Sequence, residues 1–525
     1  MHLPLSLAAA LLLPLPQAAG PPPSEPFGVQ VVDRATGRGV PLVELRTVNG
    51  LLHVTDSAGW AAVAEPGLMD QEVWFSVQSH GYRFPADGFG YRGSRLKVAP
   101  GGRARLEIDR LNRAERLYRV TGEGIYHDSV LLGEPVPLRR PLLNGGVLGQ
   151  DSVLSAVYRG RVFWIWGDTN RASYPLGNFH ASGALSQLPG RGGLDPAVGV
   201  DLEYFAGEDG FSRGLCPIEG PGPVWLDGLS LLPGAGDEER LLARFMRMKD
   251  LGAMHEQGFV MWNDEREVFE KQGGLPLDAP LFPLGHPTPY RDADGRDWLL
   301  FCNPFPAVRV PATAESFLDA AAYQGWTCLT EGTRWPEGGF TQEREPPFDR
   351  DGDGRLRWGW KPATAAVDGQ RWAELVARGL ALAEQGAWNL SDAATGERVL
   401  PHGGTLAWNE HRQKWISIFL QSWGTSMVGE VWYAECDDPW GAWSPATKVV
   451  SHDQYSFYNV RHHPFFDQDG GRTIYFEGTY TATFSGNPSP TPRYDYNQVM
   501  YRLDLDRIRG QTSISPGPEQ DPGRS

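Results

Sequence analysis

Gly149-Gln150-Asp151-Ser152 is followed a short way on by Arg161-Val162-Phe163-Trp164-Ile165-Trp166-Gly167-Asp168-Thr169-Asn170. An acidic residue opens a strand, Tyr158-Arg159-Gly160-Arg161 makes a tight antiparallel turn, and an aromatic strand ends on a second acid. Residues 162–166 are apolar on both faces, as expected of a strand held between stacked sheets. The stretch therefore reads as the first of several similar sheets, with Asp151 near their common axis.

The strand part of this plan recurs downstream. A charged turn precedes an aromatic or apolar strand at Glu239-Arg240-Leu241-Leu242-Ala243-Arg244-Phe245 and at Gly295-Arg296-Asp297-Trp298-Leu299-Leu300-Phe301. It does so again at Arg412-Gln413-Lys414-Trp415-Ile416 and at Gly471-Arg472-Thr473-Ile474-Tyr475-Phe476-Glu477. With the first instance this makes about five units, and radially repeated four-stranded sheets are the mark of a β-propeller. The expected fold is all-β: a five-bladed β-propeller over residues 145–505. A helical insertion is expected at about 340–395, because Trp372, Leu375, Val376 and Leu380 recur at helical spacing. Tyr494-Asp495-Tyr496-Asn497-Gln498 reads as the closing strand that rejoins the first blade.

Upstream, residues 29–32 alternate into the turn Asp33-Arg34-Ala35-Thr36-Gly37, a second alternating strand follows, and Thr55-Asp56-Ser57-Ala58-Gly59 makes another turn. This order resembles the carboxypeptidase regulatory-like (transthyretin-like) β-sandwich over residues 27–111. The resemblance implies a spacer or stability domain. The chain changes style from Leu117, and residues 119–126 with the Pro-rich 134–141 read as a bridge packed against the next domain.

The chain has 525 residues, more than one ordinary domain of ~100–200, and 48 Lys plus Arg against 64 Asp plus Glu give a formal charge of −16. That balance argues against nucleic acid or an anionic membrane as the main partner, since binding phosphate needs a basic surface. The 19 Trp, 64 Gly and 43 Pro suit short aromatic strands punctuated by turns. Such a composition fits a sugar-handling all-β protein, although Trp buried between sheets would give the same count.

Residues 1–20 hold an apolar run and then Gln17-Ala18-Ala19-Gly20, like a secretory signal peptide. A secreted or periplasmic location is expected. No later run is apolar for long enough to span a bilayer, and the tail 511–525 is polar and expected to be disordered. Cys216, Cys302, Cys328 and Cys436 form no C-x-x-C pair. Export would permit disulfides, Cys302 with Cys328 being the most local, and buried free thiols are an equal reading. The oligomeric state is left open.

Acids at strand ends point to carboxylate chemistry. Breaking a glycosidic bond needs one carboxyl to protonate the leaving oxygen and another to act as base or nucleophile. Asp151 is the candidate base. Asp168 is either a second acid or an Asx-turn residue, and its apolar neighbours would raise its pKa. Asp227 stands on an expected inner strand. A propeller draws its catalytic groups from different blades, so Glu430 before Val431-Trp432-Tyr433 is the first choice of general acid and Glu477 the competitor.

His286, His402, His463, Arg461, Trp166 and Tyr480 are candidates for substrate contact, each with a packing or pairing role as the alternative. Trp423 and Tyr458 could also stack on sugar rings, with core packing as the alternative. His462 and His463 are adjacent on a strand, so only one should face the axis. Asp349, Asp351 and Asp353 resemble the start of a calcium loop, but Trp360 stands where the twelfth-position Glu belongs. No metal is otherwise expected. No G-x-S-x-G elbow, phosphate-binding loop or H-E-x-x-H motif is present.

Residues 149–170, with G-x-D-S and then W-x-W-G-D-T-N, resemble the endo-D-arabinanase family, once a domain of unknown function. More loosely, residues 145–505 are similar to the wider set of five-bladed arabinanases, xylosidases and invertases. The resemblance implies an exported glycoside hydrolase acting on a polysaccharide or oligosaccharide. In it Asp151 matches the base position and Asp168 the W-G-D-T acid, whereas Asp227 and Glu430 rest on strand context alone. The alternatives are a non-catalytic propeller that binds glycan or protein, and a polysaccharide lyase using a His/Tyr pair.

Overall fold

A computed structural model describes residues 25–508, apart from 235, 237, 337–338, 341–343 and 383–385. The expected signal peptide and polar tail lie outside the described residues. The described chain is all-β, with short helices only, and none is long and apolar enough to cross a membrane.

The N-terminal unit has two four-stranded sheets. Trp60–Val63, Phe27–Asp33, Arg103–Arg110 and Tyr82–Arg83 form one, and Leu52–Val54, Glu44–Thr47, Glu72–Gln78 and Gly93–Lys97 the other. Alternating residues of both sheets, among them Val29, Val31, Ile108, Leu45, Phe75 and Val77, fill one shared core. Asp56 fixes the second turn by accepting the N–H groups of Ala58 and Trp60.

Among the described residues that follow, five antiparallel sheets have four strands or more. Sheet one is Leu154–Tyr158, Arg161–Trp166, Ser182–Gln187 and Glu203–Tyr204, and sheet two is Val224–Pro233, Glu239–Met248, Met254–Asn263 and Val268–Leu275. Sheet three is His286–Arg291, Asp297–Cys302, Pro306–Pro311, Gln324–Thr327 and an added fifth strand, Gly359–Pro362. Sheet four is Pro401–Asn409, Lys414–Gln421, Val431–Cys436 and Thr447–Val450. Sheet five is Ser456–His462, Thr473–Thr481, Asn497–Asp504 and, from far upstream, Glu115–Arg119.

Each repeat found in the sequence is the second strand of one of these sheets. Its two apolar faces serve two neighbours, because successive side chains of a strand point to opposite sides. Phe163 and Ile165 pack with Leu226, Phe245 and Val260 of sheet two. Val162, Trp164 and Trp166 pack with Leu117, Tyr118, Tyr475 and Met500 of sheet five. Likewise Leu299 and Phe301 turn to Leu242 and Phe259 of sheet two, and Leu300 and Cys302 to Leu406 and Trp415 of sheet four. Ile416 and Ile418 then meet Ile474 and Phe476 of sheet five. Each large side chain buried this way contributes on the order of 1.5–3 kcal/mol, so every sheet is clamped from both sides.

The first strands follow the same order. Those of sheets one to five touch in succession, and Arg461 of sheet five hydrogen-bonds Ser155 of sheet one.

The stretch just ahead of the expected bridge, Glu115–Arg119, is a strand that pairs with Asn497–Asp504 and completes sheet five. One expectation changes: the segment after Tyr494 does not rejoin sheet one, since Asn497–Asp504 is the third strand of sheet five. Charged letters concealed the upstream strand. Arg116 and Arg119 are fully buried, but backbone oxygens of Pro41 and Glu123 accept from their guanidinium groups, and Glu115 pairs with Arg502 at 2.7 Å.

Among the described residues the insertion contains the short helix Gly369–Ala377, capped by Asp368 and burying Trp372 and Leu375. All four cysteines are free and buried, which is the thiol reading.

Candidate active site

A cavity of about 440 Å³ opens near the starts of the first strands of sheets one, two, three and five. Three carboxylates line it, Asp151, Asp168 and Asp227, together with His286, Tyr458 and Tyr496.

Asp151 sits in the gap between the short strand Val147–Gln150 and Leu154–Tyr158. Its flanks hold it there. Gln150 is fully buried and donates to Thr169 and Ser182 at 3.0 and 2.8 Å while accepting from Tyr204. Gly149 lies so close to Tyr496 that a Cβ would stand 2.6 Å from its carbonyl oxygen. Ser152 takes a left-handed conformation (φ 59°), donates its N–H to Thr479 of sheet five and accepts from Asn459. The G-x-D-S run is thus a fixed corner between sheets one and five.

The Asp151 carboxylate accepts the Tyr458 hydroxyl at 2.8 Å on Oδ2 and the Asp168 N–H at 3.0 Å on Oδ1. Burial pushes its pKa up, and the donors, Tyr496 and Ser152 included, oppose that by favouring the charged form. Gly167 is required here, because a Cβ would meet Asp151 Oδ1 at 2.4 Å.

Asp168 ends the aromatic strand. Its Oδ1 accepts the indole N–H of Trp225 at 3.0 Å. Burial raises its pKa to about 7, the neighbouring Asp151 adds to the rise, and the Trp225 donor opposes it. Asp227 lies on the first strand of sheet two at a β-bulge and accepts the N–H groups of Gly228 and Gly285 at 2.8 and 3.0 Å. Burial raises it to about 6, against the nearby Arg244 cation.

The other expected acids are elsewhere. Glu430 is fully buried and does not line the cavity. Its Oε1 accepts the backbone N–H and hydroxyl of Thr425 at 3.0 and 2.6 Å, which pins the hairpin between the second and third strands of sheet four. Its side chain turns to Thr425 and not to the cavity. Glu477 is also fully buried and outside the cavity lining. It meets His463 Nε2 at 2.9 Å, and burial lifts it to about 8.

Of the expected contact residues, His286, Trp166 and Tyr458 line the cavity. Trp166 is fully buried and stacked on Trp164 with an interplanar angle of 4°, which is a packing role. His463 is spent on Glu477 and Ser155, while His462 turns the other way to Asp467. Tyr480 stacks on Tyr455 and bonds His80 of the N-terminal unit. His402 is exposed outside the lining, although its neighbour Gly403 abuts Asn303, which does line the cavity. Arg461 is buried beneath the floor.

Sequence reasoning did not single out Trp225 or Tyr496 as site residues, and it read Tyr458 only as a stacking ring. Their one signal was proximity to Asp227 and to the Y-D-Y-N run. Leu251, Leu284 and Phe484 give the mouth an exposed apolar rim.

The acids of the calcium-loop-like run have protein partners. Asp349 pairs with Lys361 at 2.9 Å, and Asp351 accepts the N–H groups of Asp353 and Arg355 within its own turn. Among the described residues no group of three or more His, Cys, Asp or Glu side chains could hold a metal.

No protein-family model and no curated protein matches the chain. Among solved structures, an exo-1,5-alpha-L-arabinanase from a bovine ruminal metagenomic library is 9% identical, with 68% of this chain and 94% of that one covered and a TM-score of 0.32. RS223-beta-xylosidase is 13% identical, covering 69% and 93%, at 0.33. An N-acetylgalactosamine deacetylase from F. plautii is 9% identical, covering 76% and 97%, at 0.36. These superpositions are too loose to transfer chemistry to this chain.

Proposed function

We propose that this protein is a glycoside hydrolase of five-bladed propeller architecture, cleaving a polysaccharide or oligosaccharide in the cavity lined by Asp151 and Asp168. The five sheets with paired interfaces support the architecture. The observation that carries the chemistry is a pair of adjoining carboxyls in opposed environments. Asp151 collects donors that favour the carboxylate, and Asp168, raised to about 7 by burial, is about half protonated at neutral pH. Two carboxyls pushed apart in this way are suited to act as acid and base.

In this assignment Asp151 is the base or nucleophile, and Asp168 protonates the leaving oxygen. Asp227 is a third, partly protonated carboxyl that can hydrogen-bond the sugar. The acid need not come from a distant blade, since Asp151 and Asp168 flank the two ends of the first hairpin of sheet one. A polysaccharide lyase fits less well. Arg461, the group that could offset a uronate carboxylate, points its guanidinium at Ser155 and His286. We also propose export, resting on the apolar run within residues 1–20 alone, and a spacer role for the N-terminal unit.

The test is a panel of neutral and acidic polysaccharides assayed for new reducing ends. Saturated products, lost in Asp151→Asn, support hydrolysis. Unsaturated products would establish a lyase, and glycan binding without cleavage would establish a binding module.

A further inference from the structure

Beneath the cavity floor lies a buried cation that the acid and base do not use. Arg461 of sheet five directs Nε and one terminal nitrogen to the hydroxyl and carbonyl of Ser155, at 2.9 and 2.5 Å. Its other terminal nitrogen points at Nδ1 of His286, the first residue of sheet three. A guanidinium only donates hydrogen bonds, so Nδ1 has to accept. A neutral imidazole that accepts at one ring nitrogen carries its proton on the other. His286 lines the cavity, and Nε2 is the nitrogen left to serve it.

We infer that Arg461 fixes His286 as a neutral ring with its proton on Nε2, making His286 a specificity-determining donor to a substrate oxygen and Arg461 its positioning residue. Two further features agree. Burial and the Arg461 charge both hold the His286 pKa well below its ordinary value. The carboxylates of Asp151 and Asp227 already accept hydrogen bonds from protein donors, so a donor on the floor supplies what these acceptors do not. The same lock explains a fully committed arginine under a cavity that it never enters.

The tautomer is independent of any substrate, and the donor role rests on the glycosidase reading. Long-range nitrogen–proton correlation spectra of the intact chain with ¹⁵N-labelled histidine read the tautomer directly, with the His286 signals assigned by their loss in His286→Gln. The expected result at about pH 7 is a bare Nδ1 and a protonated Nε2. A proton on Nδ1, or an imidazolium, overturns the inference.

On any polysaccharide the wild type cleaves, His286→Leu should raise KM about tenfold with little change in kcat, as for one lost hydrogen bond. His286→Gln, which retains an N–H donor, should recover to within about threefold. Equal losses in both variants would overturn the donor role. If nothing on the panel is cleaved or bound, the glycosidase reading fails and the donor role with it, while the spectra still decide the lock.

Discussion

Asp168 donates its backbone N–H to Oδ1 of Asp151 at 3.0 Å, so the two acids that bracket the aromatic strand are joined at one corner. The corner is made possible by Gly167, where no side chain would fit. The separation of Asp151 and Asp168 in sequence is therefore the length of one hairpin, whose two ends the fold brings together.

Removing either carboxyl should abolish most activity. Asp151→Asn and Asp168→Asn are each expected to lower kcat/KM by about 10²–10⁴, the usual contribution of a positioned acid or base. Circular dichroism should show an unchanged fold. With a substrate carrying an activated leaving group, Asp168→Asn should recover much of its rate and Asp151→Asn should not.

The pH profile follows from the two carboxyls. Catalysis needs Asp168 protonated, and burial beside Asp151 places its pKa at about 7, so kcat/KM should fall as pH rises through about 7. On the acidic side the loss sets in as Asp151 gains a proton, at a pH above the ordinary aspartate range because burial raises its pKa. A basic limb that starts far above neutrality would contradict the assignment.

Trp225 tunes that basic limb. Its indole N–H favours the charged form of Asp168. In Trp225→Phe the acid should hold its proton more tightly, and the limb should move to higher pH by up to about one unit, the equivalent of about 1.4 kcal/mol. A downward move would contradict this hydrogen bond's role.

Glu477 makes the stability pH-dependent. Its pKa rises from an ordinary 4.5 to about 8 on burial, so the folded chain holds a proton that the unfolded chain releases. That contribution is fully present below about 4.5 and is lost as pH rises through about 8. Thermal unfolding should show the melting temperature declining across this window in the wild type, and the decline should flatten in Glu477→Gln.

Much of the fold was legible because the repeat lay in the second strands, whose two-sided apolar character reflects packing against two neighbours. The closing strand was not legible. Glu115 and Arg116 look like surface residues, and distant carbonyls, the Ser79 and Thr36 hydroxyls and Arg502 make their burial tolerable. At the site, Asp151 and Asp168 stood out because glycines and aromatics frame them. Glu430 misled for a physical reason: a strand start fixes where a side chain is rooted, whereas the partner it finds, here Thr425, fixes where it points. Trp225, Tyr458 and Tyr496 reach the acids across sheet boundaries, a relation no local spacing encodes.

The most direct test of the central claim sets Asp168→Asn beside Glu430→Gln on one polysaccharide that the wild type cleaves, measuring new reducing ends per unit time. The account predicts a fall of about 10²-fold or more for Asp168→Asn and activity within a few-fold of wild type for correctly folded Glu430→Gln. Near-normal cleavage by Asp168→Asn, with activity lost in a folded Glu430→Gln, would contradict it.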